Sequence, residues 1–233
     1  ISCRAWATDW SCRQMKFDPN VIWLIYPFLL KGAAKTLLLS VVVLMISTTA
    51  GLLIAIGMLG KSRLLRGALG VASWVARGIP PLMILLIVFL GLPKLGLVLS
   101  PFSAATIGMS AYVAFYFAEA FSAGFASIPR EQFQAASALA LPRLRVLRRI
   151  IIPQMLPAAL PSYFSRATEI VKGTSIAAVV AFPEMATSAK QVIAATFRPI
   201  ETLLIISVVY IILNGILLVL QAHFEMRLKK RRD

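Results

Sequence analysis

Three charged residues lie inside one of the long apolar stretches of this sequence. Arg166, Glu169 and Lys172 are spaced three apart within the run 155–182, so a helix would place them on one face. Ionisable residues inside an apolar helix are costly, and they are usually paired or functional. Glu169 could bridge the two cations in a ladder that only holds the helix in place. Equally, the three side chains could form the polar lining of a solute pathway.

A second ionic pair is expected between two other apolar runs. Glu119 lies in the run 102–125, about two turns from its end, and a carboxylate in apolar surroundings needs a partner. Arg77 lies at a similar predicted depth at the start of the run 71–92, so we expect an intramembrane Arg77–Glu119 pair. The sequence Gly78-Ile79-Pro80-Pro81 follows, and because proline interrupts helices we also expect a kink or break there.

Other residues that could do chemistry lack the neighbours they would need. Gly60-Lys61-Ser62 resembles the end of a phosphate-binding loop, but Ala55 stands where that loop requires glycine. The triplet also ends an apolar helix, where a strand should precede it. His223 is the single histidine of the chain, so neither a histidine-based catalytic group nor a multi-ligand metal site is expected. We therefore expect no enzyme activity, no metal and no cofactor bound by this chain.

The elements that position these residues are predicted to be transmembrane helices. Hydrophobic residues make up 59% of the 233 residues, and the mean hydropathy is +0.84. A water-soluble globule of this size could not bury so much apolar surface. The runs 36–59, 71–92, 102–125, 155–182 and 203–222 each reach the roughly 20 residues that a spanning helix needs. We therefore predict an all-α integral membrane protein with about five transmembrane helices.

The distribution of basic residues predicts the orientation of these helices. The chain has 24 Lys and Arg against 9 Asp and Glu, an excess that would suggest a nucleic acid partner in a soluble protein. Here the basic residues collect after the first and third runs and in the C-terminal tail, as they do in cytoplasmic segments of membrane proteins. We therefore expect no nucleic acid partner, an exterior N-terminus and a cytoplasmic C-terminus in a lipid bilayer.

The residues before the first run are predicted to lie on the exterior side. Residues 1–20 form an exterior segment with Cys3 and Cys12, for which an oxidising compartment would permit a disulfide, although we expect these cysteines to do no essential work. Residues 21–30 are apolar and aromatic but too few to span the bilayer. We predict a short interfacial helix there, with Trp23 and Tyr26 at the level of the lipid headgroups.

The connection between the third and fourth runs has a helical pattern of its own. Residues 134–140 are good helix formers, and Pro142 suits the first turn of a following helix. This pattern predicts a basic, cytoplasmic helical hairpin within residues 129–153. So ordered a loop favours a docking partner, although a solvated positive-inside loop would account for the arginines alone.

The same hairpin carries a motif that resembles a known family. Gln134-Ala135-Ala136 is followed after three residues by Ala140, and after nine more by Ile150-Ile151-Ile152-Pro153. This register resembles the Glu-Ala-Ala, Gly, Ile-x-Leu-Pro hallmark of the permease subunits of binding-protein-dependent ABC importers, in particular the polar amino-acid subfamily of the histidine, glutamine and glutamate type. The departures are Gln134 for Glu, Ala140 for Gly and Ile152 for Leu. Three other segments also resemble this subfamily: Arg77-Gly78-Ile79-Pro80, Ala118-Glu119 through Ser127-Ile128-Pro129, and Lys172-Gly173-Thr174-Ser175.

The resemblance implies an ABC importer transmembrane domain over residues 21–233, in a bacterial inner membrane. It implies that the hairpin is a coupling helix that sits in a groove of a cytoplasmic ATPase subunit, which would bind the ATP and Mg. The other implied partners are a second, identical or homologous permease and an external solute-binding protein. The residues implied at the coupling contact are Gln134, Ala135, Ala136, Ala140, Leu141, Ile150, Ile152 and Pro153.

The resemblance also implies a solute path partway through the membrane, with Arg166, Glu169, Lys172 and Thr174 from the fourth span. Family members that carry cationic amino acids tend to have acids before the lysine, whereas this chain has Arg166, and Gly173 replaces the usual Asp. These changes favour an amino acid or related small polar solute that is acidic or rich in carboxylates. The competing hypotheses are a self-contained secondary transporter, which usually has an inverted repeat, and a structural subunit.

Overall fold

The computed structural model describes residues 19–60 and 62–229, and all the regular structure in these ranges is helical. Several helices continue through short π-helical or 3₁₀ segments without leaving the helical path. The helices are α1 Pro19–Met58, α2 Arg63–Gly78, α3 Pro81–Leu86 extended to Leu95, α4 Pro101–Ala126, α5 Arg130–Ala138, α6 Arg143–Val146 extended to Ile151, α7 Ile152–Gly173 extended to Val180, α8 Met185–Thr196 and α9 Pro199–Lys229.

Three of these helices are long and apolar enough to cross a membrane by themselves, namely α1, α4 and α9. Two further crossings are reached only if each of two bent helix pairs counts as one span. The first pair joins α2 to α3 with a bend of 102°, and the second joins the α6–α7 helix to α8 with a bend of 57°. The described part of the chain therefore contains three to five candidate spans, in agreement with an all-helical membrane protein.

The first helix is longer than the sequence pattern predicts. At 40 residues it is about 60 Å long, twice the thickness of the hydrocarbon core. Residues 21–30 are part of it, so the prediction of a separate interfacial helix was wrong. Ile25 and Leu29 are buried in a cluster with Met185 of α8 and Ile206 of α9. This contact packs one face of the segment against distant helices, while Trp23 and Tyr26 remain exposed. The predicted exterior residues 1–18, with both cysteines, lie outside the described ranges.

The second predicted span is broken at the position where prolines suggested a break. Ile79 has an extended backbone (φ −90°, ψ 131°) and Pro81 begins α3, as expected because a residue before proline avoids the helical region. The run 71–92 is therefore divided between two helices, and the break expected from the prolines is confirmed. Its first eight residues belong to α2, which begins at Arg63 within the segment that the sequence left as a loop. The predicted connection after the fourth run likewise contains a helix, α8.

Small residues bring the spanning helices together. Helix α1 packs along α4, and a Cβ atom on Gly51 would lie only 2.7 Å from Phe117 Cβ and 2.8 Å from the Ala114 carbonyl oxygen. Helix α4 approaches α7 in the same way, where a Cβ on Gly124 would lie 2.9 Å from the Met155 carbonyl oxygen. Such close approach is how membrane helices gain packing energy without a hydrophobic driving force between them. The aromatic core around Phe117 is the result.

Candidate functional site

A cavity of about 220 Å³ lies between α3, α4 and α7. Its walls are mostly apolar, and the charged residues in its lining are Arg166 and Glu169 of α7. Tyr112 and Tyr116 of α4 add two phenolic groups on the opposite side. The lining residues are Pro81, Leu85, Met109, Tyr112, Val113, Tyr116, Arg166, Glu169, Ile170, Gly173 and Ile176.

The charged pair in this cavity is held by helix geometry and by aromatic contacts. One turn of α7 separates the two residues, and the Arg166 guanidinium donates to a Glu169 carboxylate oxygen at 2.7 Å. The guanidinium carbon also lies 4.4 Å from the centroid of the Tyr116 ring, a cation–π distance. The Tyr112 and Tyr116 rings are 4.8 Å apart. The two charged side chains remain 38% and 55% exposed, so a solute in the cavity could reach both.

The other two residues predicted for the solute path lie elsewhere. Lys172 is exposed but is not part of the cavity lining. Of the predicted ladder, the structure shows the ion pair between Arg166 and Glu169. Thr174 is fully buried and its hydroxyl donates to the Val171 carbonyl at 2.8 Å. Its hydroxyl is thus satisfied within the 3₁₀ turn, and its place on the solute path stays a prediction.

The two tyrosines are the site residues that the sequence analysis missed. Tyr112, Tyr116 and Glu119 are spaced four and three apart, so they form a polar stripe along one face of α4. This i, i+4, i+7 pattern is present in the sequence, and it could have identified the face of the third run that lines a cavity. Because the two tyrosines carry no charge, the pattern of charged residues within the apolar runs does not single them out.

Glu119, at the C-terminal end of this stripe, contacts α2. Arg77 donates to the Glu119 carboxylate, so the two residues that the sequence pairs are in contact. Arg77 also donates from Nε to the Ser73 carbonyl at 3.3 Å. Since Arg77 is the last but one residue of α2, this ion pair ties the end of that helix to α4 just before the chain bends into α3.

A second candidate site is the hairpin formed by α5 and α6. Helix α5 ends in a Schellman motif, in which the Leu141 amide donates to the Ala136 carbonyl at 3.2 Å and the Ala140 amide donates to the Ser137 carbonyl at 3.0 Å. Ala140 has φ 48°, the left-handed conformation that glycine adopts most easily. The turn therefore forms with alanine at the motif's glycine position, and Pro142 directly precedes α6.

We expect Ala140→Gly to stabilise this turn by about 1 kcal/mol, because the left-handed conformation costs alanine about 1–2 kcal/mol and glycine loses part of that gain to chain entropy. Hydrogen exchange should show slower exchange at the Leu141 amide in the variant. Ala140→Val should speed exchange at the same amide. Equal protection in all three proteins would contradict the strain argument.

The residues implied at the coupling contact divide between the surface and the interior. Gln134, Ala135, Ala140 and Pro153 are exposed. Ala136 is only 5% exposed and packs in the core of the chain itself, and its place at a partner contact stays a prediction. Leu141, Ile150 and Ile152 are half-buried against the same core. The most exposed large apolar side chains of the hairpin are Leu139 at 70% and Leu144 at 75%.

Comparison with known proteins identifies relatives along nearly the whole chain. Residues 47–230 match the family model described as the binding-protein-dependent transport system inner membrane component. The probable amino-acid ABC transporter permease protein YckA of Bacillus subtilis (strain 168) is 32% identical over 202 residues, which cover 87% of this chain and 89% of that protein. The octopine transport system permease protein OccM of Rhizobium meliloti is 30% identical and covers 94% of this chain and 93% of its own length.

Solved structures agree with these relatives. The crystal structure of an amino acid ABC transporter with histidines contains a chain with a TM-score of 0.82 and 26% identity, over 91% of this chain and 100% of that one. The inward-facing MetNI methionine ABC transporter has the same fold, with a TM-score of 0.74 at 14% identity over 91% of this chain and 99% of that one. The chain therefore belongs to the family of binding-protein-dependent transport system inner membrane components, the permease subunits of ABC importers.

Proposed function

We propose that this permease carries an amino acid across a bacterial inner membrane through the cavity between α3, α4 and α7. The observation that carries the proposal is the Arg166–Glu169 pair, which places a cation and an anion side by side in an otherwise apolar cavity. A guanidinium matches a carboxylate in a two-point contact, and Glu169 can accept from an ammonium group. A zwitterionic amino acid headgroup offers both partners at once.

A preference for acidic substrates is a finer proposal. It rests on Arg166 and Gly173, which line the cavity and which, by the family resemblance, depart from the pattern of permeases that carry cationic amino acids. Glu169 offsets the charge of Arg166 at 2.7 Å, so an acidic side chain would need the exposed Lys172 as a further cation. Competition between glutamate and glutamine for uptake tests this preference, and equal inhibition by both would reject it.

The proposed partners are two cytoplasmic ATPase subunits, a second permease and an external solute-binding protein. Permease names among the relatives and the ABC transporter structures support this assembly. Within this chain, the exposed Leu139 and Leu144 support the α5–α6 hairpin as the contact with the ATPase, because apolar side chains at the tip of a polar loop gain stability when a partner covers them. A short helix closed by a Schellman turn is rigid, so it would pass a movement of the ATPase to the membrane helices without bending.

We expect Leu139→Asp to weaken this contact while the permease still folds, because the side chain makes little contact inside the chain. Solute-stimulated ATP hydrolysis and co-purification of the ATPase should both fall by tenfold or more, about 1.4 kcal/mol. The control is Leu97→Asp, at an exposed leucine (58%) of the loop before α4, which should leave both unchanged. Ala136→Glu should instead lower the yield of folded permease. Full ATPase stimulation in Leu139→Asp would show that the hairpin tip is not the coupling surface.

The proposed orientation places the N-terminus outside and the C-terminus in the cytoplasm. Single cysteines near Lys94 and Lys190, in a chain whose Cys3 and Cys12 are replaced by serine, should react with an impermeant thiol reagent added outside intact cells. Cysteines near Arg63 and Arg143 should react only after the cells are opened. All four positions are exposed in the isolated chain. The opposite labelling pattern would exclude the orientation.

The transport proposal is tested with the whole complex in proteoliposomes, together with the binding protein and radiolabelled amino acids. We expect uptake that needs both ATP and the binding protein and that is insensitive to collapse of ion gradients. Uptake driven by an ion gradient without ATP would favour the secondary transporter. A complex that hydrolyses ATP and binds the binding protein, yet transports no amino acid from the set of twenty, would reject the substrate class.

A further inference from the structure

Helix α2 is amphipathic in the opposite sense to a helix of a soluble protein. Leu69, Ser73 and Arg77 are four apart and face the rest of the chain: Leu69 packs against Gly57 of α1, Ser73 is 6% exposed and Arg77 pairs with Glu119. The opposite face carries Leu64 at 85% exposure and Val71 at 64%. The face with Ser73 and Arg77 is thus bound by the protein, whereas the apolar face and the arginines of the first turns, Arg63 and Arg66, are exposed.

The apolar face of α2 forms one wall of a large open groove. The bend of 102° turns α3 away from α2, and the space between them, about 890 Å³, is closed on the other side by Ile84 and Ile87 of α3 and by Phe115 of α4. Among the described residues that line the groove, only Arg63, at the start of α2, carries a charge. The groove is continuous with other exposed apolar side chains of α3, such as Leu90 at 58%.

We propose that this groove binds an anionic phospholipid, with its acyl chains along the apolar walls and its phosphate at Arg63. The physical reasons are the apolar lining, the single cation at one end and the open path to the surface of α3 that a bilayer would cover. A helix with an apolar face and arginines beside it lies in the interface of a bilayer, where its apolar face is buried at the acyl boundary. The bend between α2 and α3 fits such a helix, since α3 pairs along the spanning helix α4 and α2 turns away from that direction. Basic residues in the same interface attract anionic headgroups.

The test uses the complete permease and ATPase complex in vesicles of phosphatidylethanolamine and phosphatidylglycerol in a 3:1 ratio. The probe is a phosphatidylglycerol with a photoactivatable diazirine on one acyl chain, and labelled peptides are identified by mass spectrometry. We expect labelling of the α2 and α3 groove residues to exceed that of Ile211 and Val219 by at least fivefold. These two residues of α9 are each 70% exposed and serve as the reference for bulk lipid. The same diazirine on phosphatidylcholine should label the groove several-fold less.

Two variants, Ala68→Phe and Arg63→Gln, distinguish specific binding of a phospholipid in the groove from non-specific contact with bulk lipid. Ala68→Phe fills the groove from an exposed position, so groove labelling should fall to the level of α9, whereas Ile211→Phe on α9 should leave it unchanged. Arg63→Gln should remove the preference for phosphatidylglycerol over phosphatidylcholine. Groove labelling no higher than that of α9, or unaffected by Ala68→Phe, would overturn the proposal. A disulfide formed between Val71→Cys residues of two permease copies would also overturn it, because a second subunit would then cover the groove.

Discussion

Gly51→Leu should prevent assembly of a stable permease. The new side chain would start at a Cβ position 2.7 Å from Phe117 Cβ, 2.8 Å from the Ala114 carbonyl oxygen and 3.0 Å from the Ala118 amide nitrogen. Two of these three atoms belong to the backbone of α4, which cannot turn aside as a flexible side chain can, so α1 and α4 must separate. Overpacking of a single site typically costs 1–3 kcal/mol, and we expect at least the upper end of that range because the whole length of the helix pair is affected.

The measurement is the yield of monodisperse complex in mild detergent and its thermal unfolding temperature. The matched control is Gly215→Leu in α9, another spanning helix, where a Cβ atom would meet nothing within 4 Å in this chain. Gly51→Leu should lower the yield at least tenfold, whereas Gly215→Leu should keep both the yield and the unfolding temperature close to those of the parent protein. A normal yield for Gly51→Leu would mean that the close α1–α4 contact is not what holds the bundle together.

Arg166→Ala should lower transport at least tenfold while the complex still assembles. The Arg166–Glu169 pair is 38% and 55% exposed, and exposed ion pairs contribute only about 0–1 kcal/mol to stability. A charged hydrogen bond to a substrate carboxylate is worth about 1.5–3 kcal/mol, so uptake should fall roughly 10- to 100-fold. Arg166→Lys should restore part of the activity, because it retains the charge but loses the planar fork. ATP-driven uptake and basal ATP hydrolysis are measured on the same vesicles.

The double variant Arg166→Ala with Glu169→Ala separates recognition from structure. If Arg166 only neutralises Glu169, removing both charges should recover the folded yield and uptake. If Arg166 binds the substrate, the double variant should be as inactive as the single one, or more so. Recovered uptake would therefore rule out substrate recognition by Arg166. A well-folded single variant with normal basal ATPase and no uptake would support it.

The features that the sequence predicted well are those that depend on residues close together in the chain. The extent of α4 follows from an unbroken apolar run between Pro101 and Ala126, and the break before Pro81 follows from the restricted backbone of proline. The α5–α6 hairpin follows from helix formers, a turn and Pro142. Each of these depends on neighbours a few residues apart, which a single sequence displays directly.

The features that the sequence did not predict depend on which face of a helix meets the rest of the protein. Ala136 and Ala135 are adjacent and chemically identical, yet one is buried and the other exposed. Thr174 looked like a polar residue on a solute path, but its hydroxyl is satisfied by the preceding turn. The apolar residues at the start of α1 were too few to predict a span. Their burial comes from α8 and α9, which lie more than 150 residues further along the chain, so the local sequence does not reveal it.

The sequence by itself determined that this chain lies in a membrane, that its spans are helices, and that its family motif lies in a helical hairpin. It also supplied the charges of the Arg166–Glu169 and Arg77–Glu119 pairs. Only the tertiary structure decided that the first pair faces a cavity with Tyr112 and Tyr116, and that α2 turns its apolar face away from the protein. The physical reason is that lipid and protein core are equally apolar. Hydrophobicity therefore predicts that a helix is embedded, whereas the face that packs is decided by close approaches such as that of Gly51 to α4.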